Sequence, residues 1–405
     1  MAAKGPTPIQ ERELTGLKYL SRISSLLERL RPVGCERDKA GNRTLFFDQY
    51  CSLILLYLFN PLVSSTRALV QASALKKVQK KLGCSRASLG SLSEAASVFD
   101  PELLREIVGE LVDRAPLEAE RDPRLKDFAH TLTAVDGSLL KTLPQITQAC
   151  FATRKDKGWK LHTHFEILKG VPVRMAVTDA TGKGAANEKQ VLRRQLEADR
   201  CYVTDRGYED FSLFNNIVAA RSSYVCRIRN DHYFAAEAVH ELSGEAQAAG
   251  VLEDAVGRLG SPKSKRIEHP GHLVRRIVVK VEVHPKRGGR KRTAATKDLV
   301  LATNLLDVPV EVIALIYRCR WMIELFFRFL KHVLGCRHLL SQHPNGIEIQ
   351  SYCAIIACLL ISLTTGKKPT LRTYEMLCYY FMGLADEAEL LAHLNRLPPH
   401  ETICN

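Results

Sequence analysis

The sequence lacks any long apolar run, which limits where the protein can act. Its most apolar stretch, residues 353–363, is far shorter than the ~20 residues needed to cross a bilayer. The first fourteen residues contain no apolar signal region. We therefore predict a cytoplasmic protein without membrane contact, in which residues 353–363 form a buried core helix.

Paired cysteines are also missing. The twelve cysteines occur singly, with no C-x-x-C pair, so the spacing typical of structural zinc sites is absent. Several lie in apolar settings, among them Cys51, Cys226, Cys353 and Cys358. We expect reduced, buried side chains in a cytosolic protein and no structural zinc.

Acidic residues are in short supply relative to basic ones. The 405 residues include 58 Lys and Arg against 44 Asp and Glu, a formal net charge of +14. The hydrophobic content of 46% is that of an ordinary globular protein, and the length allows two or three domains. Because no basic amphipathic anchor is evident, the surplus of cations favours nucleic acid over a membrane surface as the partner.

The pattern along the chain predicts three parts. Residues 1–123 have helical periodicity and are predicted to form an all-α domain. Residues 124–364 change to short β-branched strands, three antiparallel ones first and then strands that alternate with helices. That order is expected of a ribonuclease-H-like core, so the predicted fold class is α/β. Residues 365–405 are predicted to be a helical tail, which either pairs two protomers or packs on the core.

Residues 230–306 interrupt this alternation and are predicted to be a β-rich insertion. A basic, Gly-rich loop lies between two of its strands, and five of the seven residues 286–292 are cationic. Such a loop suits the phosphate backbone of DNA, and a solvated hairpin tip is the alternative. The five cations are Lys286, Arg287, Arg290, Lys291 and Arg292.

A long helix is predicted from Asp307, as its N-cap, to Gly335. Tyr317, Arg320, Glu324 and Lys331 fall within roughly one sixth of its circumference and so share one face. A solvated face with an i,i+4 Arg320–Glu324 pair would look the same. The opposite face is apolar and suited to packing on a sheet. It carries Ile316, Ile323, Phe326, Phe327, Leu330 and Leu334.

Three carboxylates stand in comparable places. Asp136 lies within the first predicted strand, Asp205 ends the fourth, and Glu324 lies on the helix. Neighbouring strands and an adjacent helix can bring them to one point, as phosphoryl transfer with two divalent ions requires. An all-oxygen set favours Mg²⁺ or Mn²⁺. Each aspartate also precedes a glycine closely enough to be a simple turn residue.

These motifs resemble the DDE transposases of bacterial insertion sequences, in the branch with a Tyr-x2-Arg-x3-Glu-x6-Lys signature and a β-strand insertion before its glutamate. The resemblance covers roughly residues 90–360. The matching residues are Asp136 in VDGS, Asp205 in TDRGY, and Tyr317, Arg320, Glu324 and Lys331 in YRCRWMIELFFRFLK.

The resemblance implies roles for these residues. Asp136, Asp205 and Glu324 would be the catalytic ligands of two Mg²⁺ ions, with Mn²⁺ as a substitute. Each remaining residue would act on the DNA beside them: Arg320 and Lys331 on phosphates at the scissile bond, Tyr317 on the same strand end, and Arg206 on developing charge or, alternatively, in a simple ion pair.

The resemblance also implies an activity. The protein would hydrolyse a phosphodiester at the transposon ends and transfer the freed 3′-hydroxyl into target DNA, as a homodimer on double-stranded DNA at the bacterial nucleoid. The helices of residues 1–123 would bind the terminal repeats. A ribonuclease-H-like nuclease or resolvase, or a DNA-binding relic without catalysis, are the alternatives.

Tryptophan is scarce, with two residues in the chain and none in the predicted insertion. Members of the family that cut through a DNA hairpin can hold a flipped base on an insertion Trp. Trp159 and Trp321 lie outside the insertion, and Trp321 is expected to pack against it. Stacking of Trp321 on a base is the alternative.

Overall fold

The computed structural model describes most of the chain, in twelve ranges. They are residues 24–33, 43–60, 62–114, 122–125, 128–141, 158–261, 263, 268–283, 295–335, 339–365, 371–381 and 383–396.

Helices precede and follow the strands. The first group is α1 (Ser24–Glu28), α2 (Phe47–Phe59), α3 (Thr66–Ser73), α4 (Lys76–Leu82), α5 (Leu89–Val98) and α6 (Leu103–Arg114). Among the strands lie α7 (Glu188–Arg194), α8 (Phe211–Ala219) and α9 (Gly244–Ala248). The last group is α10 (Val310–Cys319), α11 (Trp321–Gly335), α12 (Pro344–Thr365), α13 (Leu371–Phe381) and α14 (Glu387–Arg396).

The strands form one mixed sheet in the order β3-β2-β1-β4-β5-β9-β8-β7-β6. The core strands are β1 (Thr131–Lys141), β2 (Gly158–Glu166), β3 (Val171–Asp179), β4 (Arg200–Thr204) and β5 (Ser223–Ile228). The others are β6 (Phe234–Val239), β7 (Val251–Leu259), β8 (Val274–Val283) and β9 (Ala295–Thr303).

The predicted strand order of the core is confirmed. β1 pairs antiparallel with β2, which pairs antiparallel with β3. On its other side β1 pairs in parallel with β4, and β4 with β5. The parallel pairs need crossovers, which α7 and α8 supply. The molecule is therefore an α/β protein with a large mixed sheet, and its first five strands have the order predicted for a ribonuclease-H-like core.

The strands of residues 230–306 lengthen this sheet. β9 pairs antiparallel with β5, and β8, β7 and β6 follow in antiparallel order. The division of the chain into 1–123, 124–364 and 365–405 stays a prediction. The same hydrophobic core that covers one face of the sheet includes side chains from α2 and α6 at one end of the chain, and Leu390 and Leu394 of α14 at the other.

The two faces of the sheet are covered by different helices. On β1, Ala134 belongs to the core formed with α10, α11 and α12, and Val135 belongs to a smaller core with α7 and α8. The period of two along a strand explains this division. Residues 353–363 lie in α12, and Ile355 and Ile356 are almost fully buried, as expected for a core helix. Within the described residues, no helix is long and apolar enough to span a membrane.

The predicted helix from Asp307 to Gly335 is wrong in two details. Pro309, with an extended ψ of 136°, is the N-cap in place of Asp307. The helix is also divided at Arg320 into α10 and α11, because the backbone there makes i to i−3 bonds. The Arg320 amide donates to the Tyr317 carbonyl and the Ile323 amide to the Arg320 carbonyl, each at 3.2 Å. The apolar face is confirmed where its side chains are described; that of Leu334 lies outside.

The cysteines of the described residues are all free. Cys51, Cys84, Cys201, Cys226, Cys319 and Cys353 are buried and Cys358 is partly buried. Burial raises the pKa of the Cys226 thiol to about 12, so it stays protonated. These side chains act as small apolar groups, as predicted.

Candidate active site

The sheet brings two of the predicted acids side by side. Val135 of β1 pairs with Thr204, the last residue of β4. Asp136 and Asp205 are the next residues on these parallel strands, which lie about 4.8 Å apart. β1 continues to Lys141 without β4 beside it. Asp136 therefore lies where β1 extends beyond the end of β4, and Asp205 is the first residue after β4.

Each aspartate also stabilises its own turn. An Asp136 side-chain oxygen accepts a hydrogen bond of 2.7 Å from the Gly137 amide. Asp205 caps a 3₁₀ turn over residues 206–208 by accepting 2.8 Å from the Gly207 amide. Asp205 therefore does stabilise a turn, as the alternative interpretation predicted. Its second carboxylate oxygen remains available for other contacts.

Glu324 reaches the same region from α11. Arg320 lies between it and β1: one guanidinium nitrogen is 2.5 Å from Glu324 Oε1 and the other is 3.8 Å from Asp136 Oδ2. The Arg320 side chain is 13% exposed, so this pair does not lie on a solvated helix face. One cation therefore joins the helix-borne acid to a strand-borne one.

The other signature residues differ in exposure. Tyr317 is largely covered, and its ring centre lies 5.9 Å from the Arg320 guanidinium carbon. Burial raises the pKa of Tyr317, which stays neutral. Lys331 is exposed. Arg206 is exposed on the turn after Asp205 and has no ion-pair partner among the described residues, so its alternative role in a simple pair finds no support there.

Burial raises the pKa of Asp136 to about 6. The Gly137 amide and Arg320 lower it, while the charges of Asp205 and Glu188 raise it further. A half-buried carboxyl group near other acids holds its proton more tightly, because ionisation there adds repulsion to the loss of hydration. A pKa displaced in this way beside a charged partner is common at functional sites.

The donor chemistry of the three acids fits a hard divalent ion, since all the ligand atoms would be carboxylate oxygens. The three carboxylates do not converge on one point in this structure. Among the described residues, no group of three His, Cys, Asp or Glu side chains is placed to hold a metal ion. Asp136 lies next to Asp205, and Glu324 is held by Arg320.

The sequence of this chain matches a known protein family. Residues 127–360, more than half of the chain, match the family model described as transposase DDE domain. The chain belongs to the transposase DDE domain family. Its match includes all three acids and the whole of the nine-stranded sheet. The family implies the use of divalent metal ions.

Two bacterial proteins are similar in sequence to this chain. It is 27% identical over 249 residues to the transposase y4zB of Sinorhizobium fredii, which covers 60% of this chain and 64% of that protein. It is 21% identical over 280 residues to a transposase for insertion sequence element IS5377 of Geobacillus stearothermophilus, covering 69% of this chain and 68% of that protein. The chain thus spans about two thirds of the length of these relatives.

A weaker likeness is found to a solved structure. A cryo-EM structure of the piggyBac transposase synaptic complex with hairpin DNA matches at a TM-score of 0.40 and 11% identity. The match covers 97% of this chain and 87% of that one.

The basic loop that was predicted to contact DNA lies outside the described residues, with Lys286, Arg287, Arg290, Lys291 and Arg292. Trp321, expected to pack against the insertion, is 50% exposed on α11. Its ring is therefore largely open to solvent.

Sequence reasoning missed how the segment leading into α10 is held to β7 and β8. Arg275 of β8 makes a buried, two-pronged ion pair with Asp254 of β7, with both distances 2.7 Å. Its other terminal nitrogen donates to the carbonyls of Leu306 at 3.0 Å and Val308 at 2.5 Å, in the segment that leads into α10. The partners are too far apart in the sequence for any local signal to pair them.

Glu188 and Lys160 are neighbours of Gly137, and Tyr208 lies in the turn that follows Asp205. Lys160 Nζ lies 2.6 Å from Glu188 Oε1, beside Gly137. Glu188 opens α7, where the helix dipole alone favours a carboxylate. The available signal was Gly137 itself, because a glycine inside a strand marks a close approach by another group.

Two histidines of β2 lie on the face of the sheet opposite to Asp136. His162 and His164 are each 2% exposed and face away from Asp136, on the side of β1 that carries Val135 and Gly137. Burial lowers the pKa of His162 to about 4 and that of His164 to about 3, so both are neutral. His162 shares a 2.8 Å hydrogen bond with Thr178.

Proposed function

We propose that this protein is a DNA transposase that cuts the phosphodiester at its element's ends and joins the freed 3′-hydroxyl to target DNA. Asp136, Asp205 and Glu324 are the catalytic residues in this proposal. The reaction would be a pair of in-line phosphoryl transfers, hydrolysis first and transesterification second, without a covalent enzyme intermediate.

One observation carries the proposal. Within the region matched by the family model, Asp136 and Asp205 are placed next to each other by adjacent parallel strands, and Glu324 faces Asp136 across one arginine. A turn residue or a surface ion pair would not require a third acid from a distant helix at the same place. The displaced pKa of Asp136, raised first by burial, points in the same direction.

The acids would hold two Mg²⁺ ions, for which Mn²⁺ can substitute. When bound, the ions would polarise the scissile phosphate and stabilise charge on the attacking and leaving oxygens. The rest of the site orients DNA. Lys331, exposed two turns beyond Glu324, would bind a phosphate, and Tyr317 would pack against the strand end.

Arg320 has a double task in this proposal. Before DNA binds, its guanidinium is engaged by Glu324 and Asp136. A phosphate beside the scissile bond would offer it an alternative two-pronged anion partner. Once Arg320 turns to that phosphate, Glu324 is released to join the two aspartates.

The wider contacts follow the charge of the chain. A formal net charge of +14 favours double-stranded DNA, both transposon ends and target. We assign Arg206 and the loop cations of residues 286–292 to the DNA backbone, and residues 1–123 to recognition of the terminal repeats. Two protomers would act together as a homodimer, one on each transposon end.

A strand-transfer assay tests the proposal. DNA carrying the sequences that flank the reading frame would be incubated with the protein, Mg²⁺ and a target plasmid. Joined product supports the proposal if it is lost in Glu324→Gln and retained in Asp298→Asn, which removes an exposed acid of β9. Cleavage without joining would indicate a nuclease or resolvase, and DNA binding without either product would indicate a non-catalytic binder.

A further inference from the structure

The helices that precede the sheet include a stretch without acidic residues. Residues 49–93 contain six cations and no Asp or Glu. All six cations are exposed, and none of them forms an ion pair with another described residue. They are Arg67, Lys76, Lys77, Lys80, Lys81 and Arg86. Among the described residues, the positive charge of this stretch is therefore not balanced locally.

The four lysines of α4 project from one side of that helix. At about 100° per residue they lie within about 140° of its circumference. Val78 lies on the opposite side and is fully buried, and α4 packs against α2 and α3. One side of α4 is thus fixed to the core, and the other side is basic and exposed. We call this exposed side, formed by Lys76, Lys77, Lys80 and Lys81, the basic face of α4.

A fifth cation lies close to the basic face of α4. The Ala87 amide donates a hydrogen bond of 3.0 Å to Ser73 Oγ at the end of α3. Ser73 precedes Lys76 by three residues, and its carbonyl accepts a bond of 3.1 Å from Gln79 Nε2 of α4. Because these bonds tie the loop after α4 to its start, Arg86 lies near the first turn of the helix.

This charge pattern does not favour the helix itself. Lys76 and Lys77 lie in the first turn, where the helix dipole already places positive charge, and Leu75 supplies no side-chain cap. Lys76 also repels Lys80 one turn later, and Lys77 repels Lys81. An anion that lies along the basic face would relieve all of these repulsions.

The anion that fits is a phosphate backbone rather than a membrane. A basic helix that binds a membrane buries its apolar side among the lipids. The apolar side of α4 is not available for that, because Val78 is fully buried within the protein. A phosphate backbone needs only the exposed cations, and lysine binds phosphate as a point charge.

We propose that the basic face of α4, together with Arg86, binds the phosphate backbone of double-stranded DNA whatever its sequence. The lysines supply salt-dependent affinity and orient the duplex. The reading of bases by residues 1–123 then falls to side chains outside α4. This inference rests on the proposed function, because it takes DNA as the partner of these helices.

Replacement of the four lysines by glutamine tests the inference without any turnover. Binding of the full chain to a fluorescent duplex of unrelated sequence would be measured by anisotropy over a series of salt concentrations, without divalent ions. Loss of four phosphate contacts should lower the slope of log affinity against log salt concentration by about 3 to 4. Replacement of the same four lysines by arginine should keep the wild-type slope, because the positive charges remain.

The matched control removes the same amount of charge from exposed positions elsewhere. It combines Lys263→Gln, Lys280→Gln, Arg372→Gln and Arg396→Gln. We expect this control to keep the wild-type slope. Glutamine forms helices about as well as lysine, so the α4 variant should remain folded, which thermal unfolding checks. If it does not, the double variant Lys77→Gln with Lys81→Gln decides, with an expected decrease in slope of about two.

Three results would overturn the inference. The first is a wild-type slope in the α4 glutamine variant, and the second is an equal loss in the control. The third is a loss of affinity for the transposon end alone, with unrelated duplex bound as before, because the lysines would then read bases.

Strand-transfer assays separate this inference from the proposed function. If the wild type cuts and joins DNA while the α4 glutamine variant keeps the wild-type salt slope, the inference fails and the proposed function stands. If the wild type neither cuts nor joins DNA but the variant loses the slope as expected, the proposed function fails and the DNA-binding face stands.

Discussion

The two sides of the candidate site are built differently. Asp136 lies in β1, which is paired with β2 at this point, and Asp205 directly follows β4, so both acids are placed by strands in the middle of a nine-stranded sheet. Glu324 stands on a helix whose regular bonding is interrupted at Arg320, one turn earlier. The comparison teaches that the sheet fixes two acids in advance, whereas the third depends on how α11 and Arg320 are placed.

Variants that lengthen or shorten one acidic side chain by a methylene group should show the largest difference between the sheet side and the helix side of the site. Asp136→Glu and Asp205→Glu should reduce cleavage on the order of 10³-fold, because the strands cannot shift to restore the geometry. Glu324→Asp should cost only about 10- to 100-fold, since the break at Arg320 lets α11 move. Single-turnover cleavage rates measure both, with Asp298→Glu as the control. Equal losses on the two sides would remove the distinction.

Removal of the ion pair that joins β7, β8 and the segment leading into α10 should give the largest change in stability. Arg275→Ala leaves Asp254 buried without its partner, so we expect the free energy of unfolding to fall by about 3–5 kcal/mol. Urea unfolding measures the loss. The double variant Arg275→Met with Asp254→Leu should recover much of it, because no unpaired charge remains. A double variant as unstable as the single one would contradict this explanation.

Asp136, on the sheet side of the site, should also make the affinity for Mn²⁺ depend on pH. With a pKa of about 6, Asp136 is ionised at pH 7 and protonated at pH 5. Mn²⁺ competes with that proton, so its affinity should fall as pH decreases, by about tenfold per unit below pH 6, and level off above. The folded state holds the proton more tightly than the unfolded chain, so Asp136 also makes stability decrease as pH rises from about 4 to 6. An Mn²⁺ affinity that is flat between pH 5 and 7 would contradict the assignment.

On the helix side of the site, Mn²⁺ binding and cleavage should both depend on Arg320. Arg320→Gln removes the cation between Glu324 and Asp136, so DNA-free protein should bind Mn²⁺ about tenfold more tightly. Cleavage should fall nevertheless, since the phosphate contact is lost. Arg328→Gln, at an exposed position of α11, is the matched control. Unchanged Mn²⁺ binding in Arg320→Gln would show that the arginine does not compete with the ion.

The smallest effect is expected at the exposed end of the signature. Lys331→Ala should weaken DNA binding a few-fold and lower the slope of affinity against salt concentration by about one. Arg372→Ala, on the exposed part of α13, should leave that slope unchanged. A salt series of fluorescence anisotropy titrations measures both. Identical slopes for the wild type and Lys331→Ala would mean that this lysine contacts no phosphate.

The sequence predicted the core strands because their β-branched alternation is a local property, and the order of elements then restricts the topology. It also predicted that Glu324 shares a face with Arg320, since helical spacing determines it. The break at Arg320 escaped prediction because residues 317–324 contain neither glycine nor proline. It is decided by tertiary packing.

The other omissions have the same origin. Arg275 pairs with Asp254 across two strands, and Glu188 reaches Gly137 from a helix that follows two further strands. Such contacts depend on the three-dimensional register of the sheet. The preference of a charged residue for its place can be estimated from the sequence, but its partner cannot.

The central claim is that Asp136, Asp205 and Glu324 meet around divalent ions when DNA is bound. A structure of the protein with its end DNA and Mn²⁺, with the ions located by anomalous scattering, tests it directly. The account predicts Mn²⁺ between the two aspartates and Glu324, with Arg320 turned to a phosphate. Mn²⁺ bound elsewhere, with Glu324 still paired to Arg320, would contradict it.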